Sequence, residues 1–580
     1  MRSEDPTPQE NNPSELSTSN TTNDNSDTAA RYTTGFLSGI PLVGAKESAS
    51  SFLATVLRDD SIPHSARLLR TPSKVVNVDD GNQTWHTDPF ALNFSTSTEL
   101  LQSYLSHVNE GWYCIFPRTR FIQWLSNCRT KSRDERVLTY AILGMGSIFA
   151  NGEHAAIGTQ YVEIAMRMSL ESIGRFTLPI TQARLILGVY KHHQGASSIA
   201  LDLWGLAINA VTALLLDREA ECLNHASKRS RTNEYGMGCE QVSECCRRTF
   251  WACFLVGRCL GFSGHTVLSD NLASPDLRLP CADLLFESSM PSEAPFYDTL
   301  ERTSTNPVFA LTLAPMAWVV VFSGVSDDAM QANRRATSDD RGTQFDRYLK
   351  NRRTSEARLQ HWISKLPAYL NYTRQNLERS FSENYAEMFA MIHVLHHFTL
   401  MQLNRCSRHA AAPSSVHNNI RAAHFHAHSL LDIASTLAHV GQHESLHGSR
   451  HRSRDTLTNP SIGFAILAAI DVASAGGPER ILADVVTGIE GGLACLRGLA
   501  QYSSSALHQY RACERRLLQL RNIIIRPNKS RGGCWLGQEW GLEQPIEQTL
   551  KPELDCIYGV QDEIYFATWK AASVSSSKIA

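Results

Sequence analysis

The residues whose types and spacing come nearest to chemistry are histidines. His393 and His397 stand four apart, as do His424 and His428, with His426 between them. That spacing stacks two imidazoles on one helix face, as a metal pair requires. No carboxylate completes a catalytic arrangement beside them. The expectation is therefore polar helix-face histidines and no metal site. Cys239, Cys246 and Cys253 recur every seven residues. On a helix that is about 10 Å of rise, too far for two thiolates to share one zinc. Gly261-Phe262-Ser263-Gly264 is one residue short of a nucleophile elbow. Gly144-Met145-Gly146 has no third glycine and no strand before it. Asp327-Asp328 and Asp339-Asp340 lack the third acid that would complete a magnesium-holding aspartate motif. No catalytic residue and no cofactor is expected.

Two basic groups remain. Lys228-Arg229-Ser230-Arg231 is a compact run in a predicted loop, and Lys228, Arg229 and Arg231 form a candidate nuclear localisation signal. Arg511, Arg515, Arg516, Arg521, Arg526, Lys529 and Arg531 face a single acid, Glu514. They read as the wet face of the last helix, with Leu517, Leu518 and Leu520 turned inward.

The elements that carry these residues read as helical almost throughout. The chain has 580 residues, 42% hydrophobic and 19% charged, enough for a large core. A net charge of −2 argues against a surface wholly coated in nucleic acid. The cysteines lie scattered through apolar runs, as reduced buried thiols do. The first residues have no apolar run and no segment is apolar for long enough to span a membrane, so an intracellular protein is expected. Residues 1–95 read as a disordered N-terminal region and linker, because they cannot bury enough surface to offset ordering entropy.

Thr96-Ser97-Thr98-Glu99 and Ser132-Arg133-Asp134-Glu135 both have capping-box spacing. Apolar residues then recur at helical period through two stretches, 96–323 and 351–526. A polar loop is expected over 324–350, and an aperiodic tail over 527–580. Period-two alternation is nearly absent, so the fold class is all-α, a multi-helical domain.

Glu244-Cys245-Cys246-Arg247-Arg248-Thr249-Phe250-Trp251-Ala252-Cys253-Phe254-Leu255-Val256-Gly257-Arg258 resembles the signature of the fungal-specific transcription factor domain, also called the middle homology region. That family shows an Arg-Arg pair, an aromatic pair, a Phe, and an Asp-Arg four residues on. Here Gly257 replaces the Asp, and His265-Thr266 replace an Arg-Pro turn further along. Leu100 to Phe121, Tyr140 to Gly144, Ala200 to Ile208, and Trp362 with Leu366-Pro367 resemble other elements of the family, in the right order. Phe250 and Phe254 should pack inward, and Arg247 and Arg248 should pair with Glu244 or cap a neighbouring helix.

The resemblance implies a nuclear regulatory domain of a transcription regulator, with metabolic or secondary-metabolite genes as targets. Family members usually carry an N-terminal zinc cluster opened by Cys-x-x-Cys. This sequence has no Cys-x-x-Cys and no cysteine before Cys114. DNA contact would then be indirect, through a homo- or heterodimer partner or an upstream segment, and the DNA-binding residues are unknown. A small-molecule effector and no membrane complete the expected partners. The alternative is a ligand-binding or scaffold protein that keeps the domain without transcriptional activity.

Overall fold

Asn93 sets the first long helix. Its backbone is extended and its side chain accepts from the Thr96 amide at 3.1 Å, so the helix opens at Phe94, inside the expected linker. The capping box expected at Thr96 is therefore displaced, because a better cap stands three residues earlier. Glu99 turns to His154 instead, at 2.8 Å. The second box holds: the Ser132 hydroxyl accepts from the Glu135 amide and the Glu135 carboxylate accepts from the Ser132 amide.

The computed structural model describes residues 87–150, 152–230, 234–259, 275–297, 312–337, 345–405, 413–446, 457–474 and 482–525, with 550–551 and 556–557. The chain divides after Lys74 into two units, and these residues belong to the second. The expected disorder of residues 1–86 lies outside the described residues, as does most of the expected tail.

The order begins with α1 (Pro89–Leu92) and α2 (Phe94–Tyr104), which continues into a π-helix (Leu105–Tyr113). Cys114, at φ 43°, ends that helix in the left-handed region. Then come α3 (Arg118–Asn127), α4 (Arg133–Gly146), α5 (Ala155–Leu170), α6 (Leu178–His193), α7 (Ser197–Ala213), α8 (Glu219–Ser230) and α9 (Cys239–Cys259). A short α10 (Asp283–Glu287) precedes α11 (Pro315–Thr337), α12 (Phe345–Ser364) and α13 (Arg374–Ser382). The last group is α14 (Ala386–Arg405), α15 (Pro413–Leu446), α16 (Pro460–Ser474), α17 (Leu482–Leu499) and α18 (Ser504–Ile525). Two two-residue strands, β1 (Leu550–Lys551) and β2 (Cys556–Ile557), pair antiparallel. The fold class is all-α.

Close helix approaches rest on glycine. A Cβ at Gly146 of α4 would stand 2.0 Å from the Leu100 carbonyl oxygen of α2. A Cβ at Gly188 of α6 would stand 2.4 Å from the Trp204 ring of α7.

Three expectations are corrected. The loop placed at 324–350 is helix through Thr337 and again from Phe345. Its polarity misled because Asp327 is buried against Arg258, at 2.8 Å. Lys228 and Arg229 lie in the last turn of α8, not in a loop. On α18, Arg516 is 1% exposed and paired with Asp471 at 3.3 Å, while Leu518 is 54% exposed. A partner 45 residues away draws the arginine in, and Leu518 takes a place on the wet face. Leu517 does pack inward.

Candidate functional site

Helix α9 is buried on every face from Val242 to Arg258. Phe250, Trp251 and Phe254 supply the apolar part, and rings of Trp251 and Phe254 meet edge to face at 5.1 Å. Trp251 Nε1 donates to the Arg278 carbonyl at 2.8 Å. Glu244, Arg247 and Arg248 share this burial, at 2%, 2% and 0% exposure. Charges so placed are costly unless each is paired and hydrogen-bonded.

The pairing is dense. Arg247 donates from Nε and Nη2 to Glu219 of α8 at 2.7 to 3.1 Å, and from Nη1 to Glu244 at 2.9 Å. Arg248 donates to Glu244 at 2.8 Å, to Asp283 of α10 at 2.8 Å, and to the carbonyls of Cys114 and Cys281 at 3.0 and 2.6 Å. Its guanidinium also lies 4.3 Å from the centre of the Phe286 ring. Glu244 accepts in addition from the Cys281 amide at 3.0 Å, and Glu219 from the Arg278 amide at 3.3 Å. Arg258 closes the helix on Asp327 of α11 and stacks on Phe254 at 4.3 Å.

Burial alone would lower the arginine pKa values. For Arg247 the two glutamates outweigh it, and for Arg248 Cys114, Asp283 and Glu244 do, so both guanidiniums are held firmly charged. The arrangement fixes four segments around one helix: the end of the π-helix, α8, the stretch 276–283, and α11. It positions rather than reacts.

The sequence located Glu244, Arg247, Arg248, Phe250, Trp251, Phe254 and Arg258 through local spacing. It missed Glu219, Asp283 and Asp327, whose distance along the chain leaves no signal. Arg231 of the basic run lies outside the described residues. His393 and His397 turn to different partners. His393 meets the Leu370 carbonyl at 2.9 Å, whereas His397 Nδ1 meets His426 Nδ1 on the neighbouring helix at 3.0 Å. Among the described residues no group of three or more His, Cys, Asp or Glu is placed to hold a metal ion. No described helix is long and apolar enough to cross a membrane.

Residues 101–364, from α2 to the last residue of α12, match the family model of the fungal specific transcription factor domain. That stretch is similar to the domain over less than half of the chain. An uncharacterized transcriptional regulatory protein of Schizosaccharomyces pombe is 26% identical over 313 residues, which are 50% of this chain and 30% of that protein. The chain thus matches less than a third of that relative's length. No solved structure matches. The fungal transcription factor domain is a regulatory family, not an enzyme family. Its matched span ends before α13, so the helices α13 to α18 lie beyond it.

Proposed function

We propose that this chain is a nuclear transcription regulator that controls a metabolic or secondary-metabolite gene set. The observation that carries the reading is the family match over 101–364. The buried charge network of α9 is consistent with it, since the residues of the family signature are those that lock the domain together. The helices beyond the match continue the same regulatory domain in this reading. DNA contact is made through a homo- or heterodimer partner or through a segment upstream of this sequence, which itself holds no Cys-x-x-Cys to open a zinc cluster. A small-molecule effector acts on the helical domain. Lys228, Arg229 and Arg231 serve as the nuclear import signal.

Chromatin occupancy of the tagged chain in its native cell tests this. Sharp peaks over a shared DNA motif are expected, and their loss on deletion of a partner would show that the DNA reading is borrowed. A flat profile with the protein outside the nucleus overturns the proposal and favours a ligand-binding or scaffold role.

A further inference from the structure

Glu387 stands in the first turn of α14, where the matched domain meets the helices beyond it. The residue is half-buried with its Oε2 atom buried, and among the described residues no lysine or arginine forms an ion pair with it. Its Oε1 accepts from the Thr458 amide and from the Thr458 hydroxyl, the latter at 2.9 Å. Its Oε2 has no hydrogen-bond partner among the described residues. A carboxylate oxygen buried without a counter-charge is disfavoured in its ionised form unless it meets a cation. Burial pushes its pKa up to about 7, against the Thr458 donors, the Asn459 amide and the Trp112 indole, which pull it down. It is therefore poised between the two forms.

A second orphan stands nearby. His193, at the end of α6, is 1% exposed. Its Nδ1 lies 3.1 Å from the Tyr502 carbonyl oxygen. A carbonyl can only accept, so Nδ1 carries the proton and Nε2 is a bare acceptor. That Nε2 has no partner among the described residues. Trp112 joins the two groups. Its ring stacks on the His193 ring at 5.2 Å and 15°, and its Nε1 donates to the Thr458 hydroxyl at 3.1 Å.

Trp112 belongs to the nine-residue π-helix, a rare conformation found frequently at functional sites. Gly111 beside it has only the Glu387 stem within reach of a Cβ, at 3.4 Å. Two acceptors, one of them anionic, call for a ligand made of donors with positive charge.

We propose that Glu387 Oε2 and His193 Nε2, set against Trp112, form a binding site for a small protonated amine. The site joins the fungal transcription factor domain to the helices beyond it, so occupancy would tie the two together. That regulatory consequence rests on the reading under Proposed function, whereas binding itself does not.

The test uses the purified full chain and two probes, ethanolamine and tetramethylammonium. Both carry one positive charge, but the second has no N–H or O–H donor. Ethanolamine should raise the thermal midpoint saturably, and tetramethylammonium should not. Glu387→Gln should weaken ethanolamine at least about tenfold, because it turns an acceptor into a donor. Glu378→Gln, on the exposed face of α13, should respond as wild type. His193→Phe keeps the stack on Trp112 and removes the acceptor, so it also weakens the amine and decides the matter if Glu387→Gln fails to fold. Equal responses to the two probes, or an undiminished response in both variants, would overturn the site. Because no promoter is involved, this result stands or falls apart from the chromatin experiment.

Discussion

Arg248→Ala is the substitution that most directly probes the α9 network. It leaves Glu244 buried with Arg247 and the Cys281 amide as its remaining partners. It also strips the donor from the Cys114 and Cys281 carbonyls. Breaking one side of a buried ion pair costs about 3–5 kcal/mol. Each buried carbonyl left unsatisfied adds about 1–3 kcal/mol, and these terms overlap rather than add. A loss of roughly 5–7 kcal/mol is expected, set against a total stability of about 5–15 kcal/mol. The assay is urea unfolding of the full chain followed by far-ultraviolet circular dichroism. Arg374→Ala, which removes an exposed pair with Glu378 on α13, serves as the control and should leave the midpoint unchanged. If Arg248→Ala lies within about 1 kcal/mol of wild type, the network is not what holds these segments together.

Acid should weaken the fold. Burial lowers the pKa of His192, His393 and His396 to about 4 and that of His193 to about 3. These folded values lie below the ordinary 6.5, so the contribution is full above about pH 6.5 and is lost as pH falls toward 4. At about pH 5 each costs up to roughly 2 kcal/mol, and a urea midpoint that does not move between about pH 7.5 and 5 would refute this. Gly146→Ala should cost about 1–3 kcal/mol or more, because the obstructing atom is backbone rather than a flexible side chain, and thermal unfolding reads it. Burial pushes the thiols of Cys281 and Cys495 up to about 12. Iodoacetamide at neutral pH should leave both unlabelled until urea is added, as mass spectrometry of the digested protein would show.

What the sequence disclosed was local. The Ser132–Glu135 box and the inward turn of Phe250 and Phe254 follow from spacings of three or four residues. So does the pairing of Glu244 with Arg247 and Arg248. Thr96 offered the same local signal and lost to Asn93, since two caps competed and the earlier one began the helix. Long-range pairing stayed hidden. Asp327 looked like loop because its partner Arg258 is 69 residues away. Arg516 looked wet because Asp471 lies on another helix. The π-helix has no sequence rule of its own, and Glu387 and His193 gained meaning only once Trp112 brought them together.

The closed pairing around α9 also bears on how such a sequence can drift. Glu244 serves two arginines and Arg247 serves two glutamates. Losing any single member leaves another charge short of a partner, whereas replacing a whole set by packed apolar residues can be nearly neutral. Accepted changes should therefore come in groups. Glu219, Glu244, Arg247, Arg248 and Asp283 would then be inherited as one character rather than five. Relatives that keep Glu244 and Arg247 while discarding only Arg248 would contradict this.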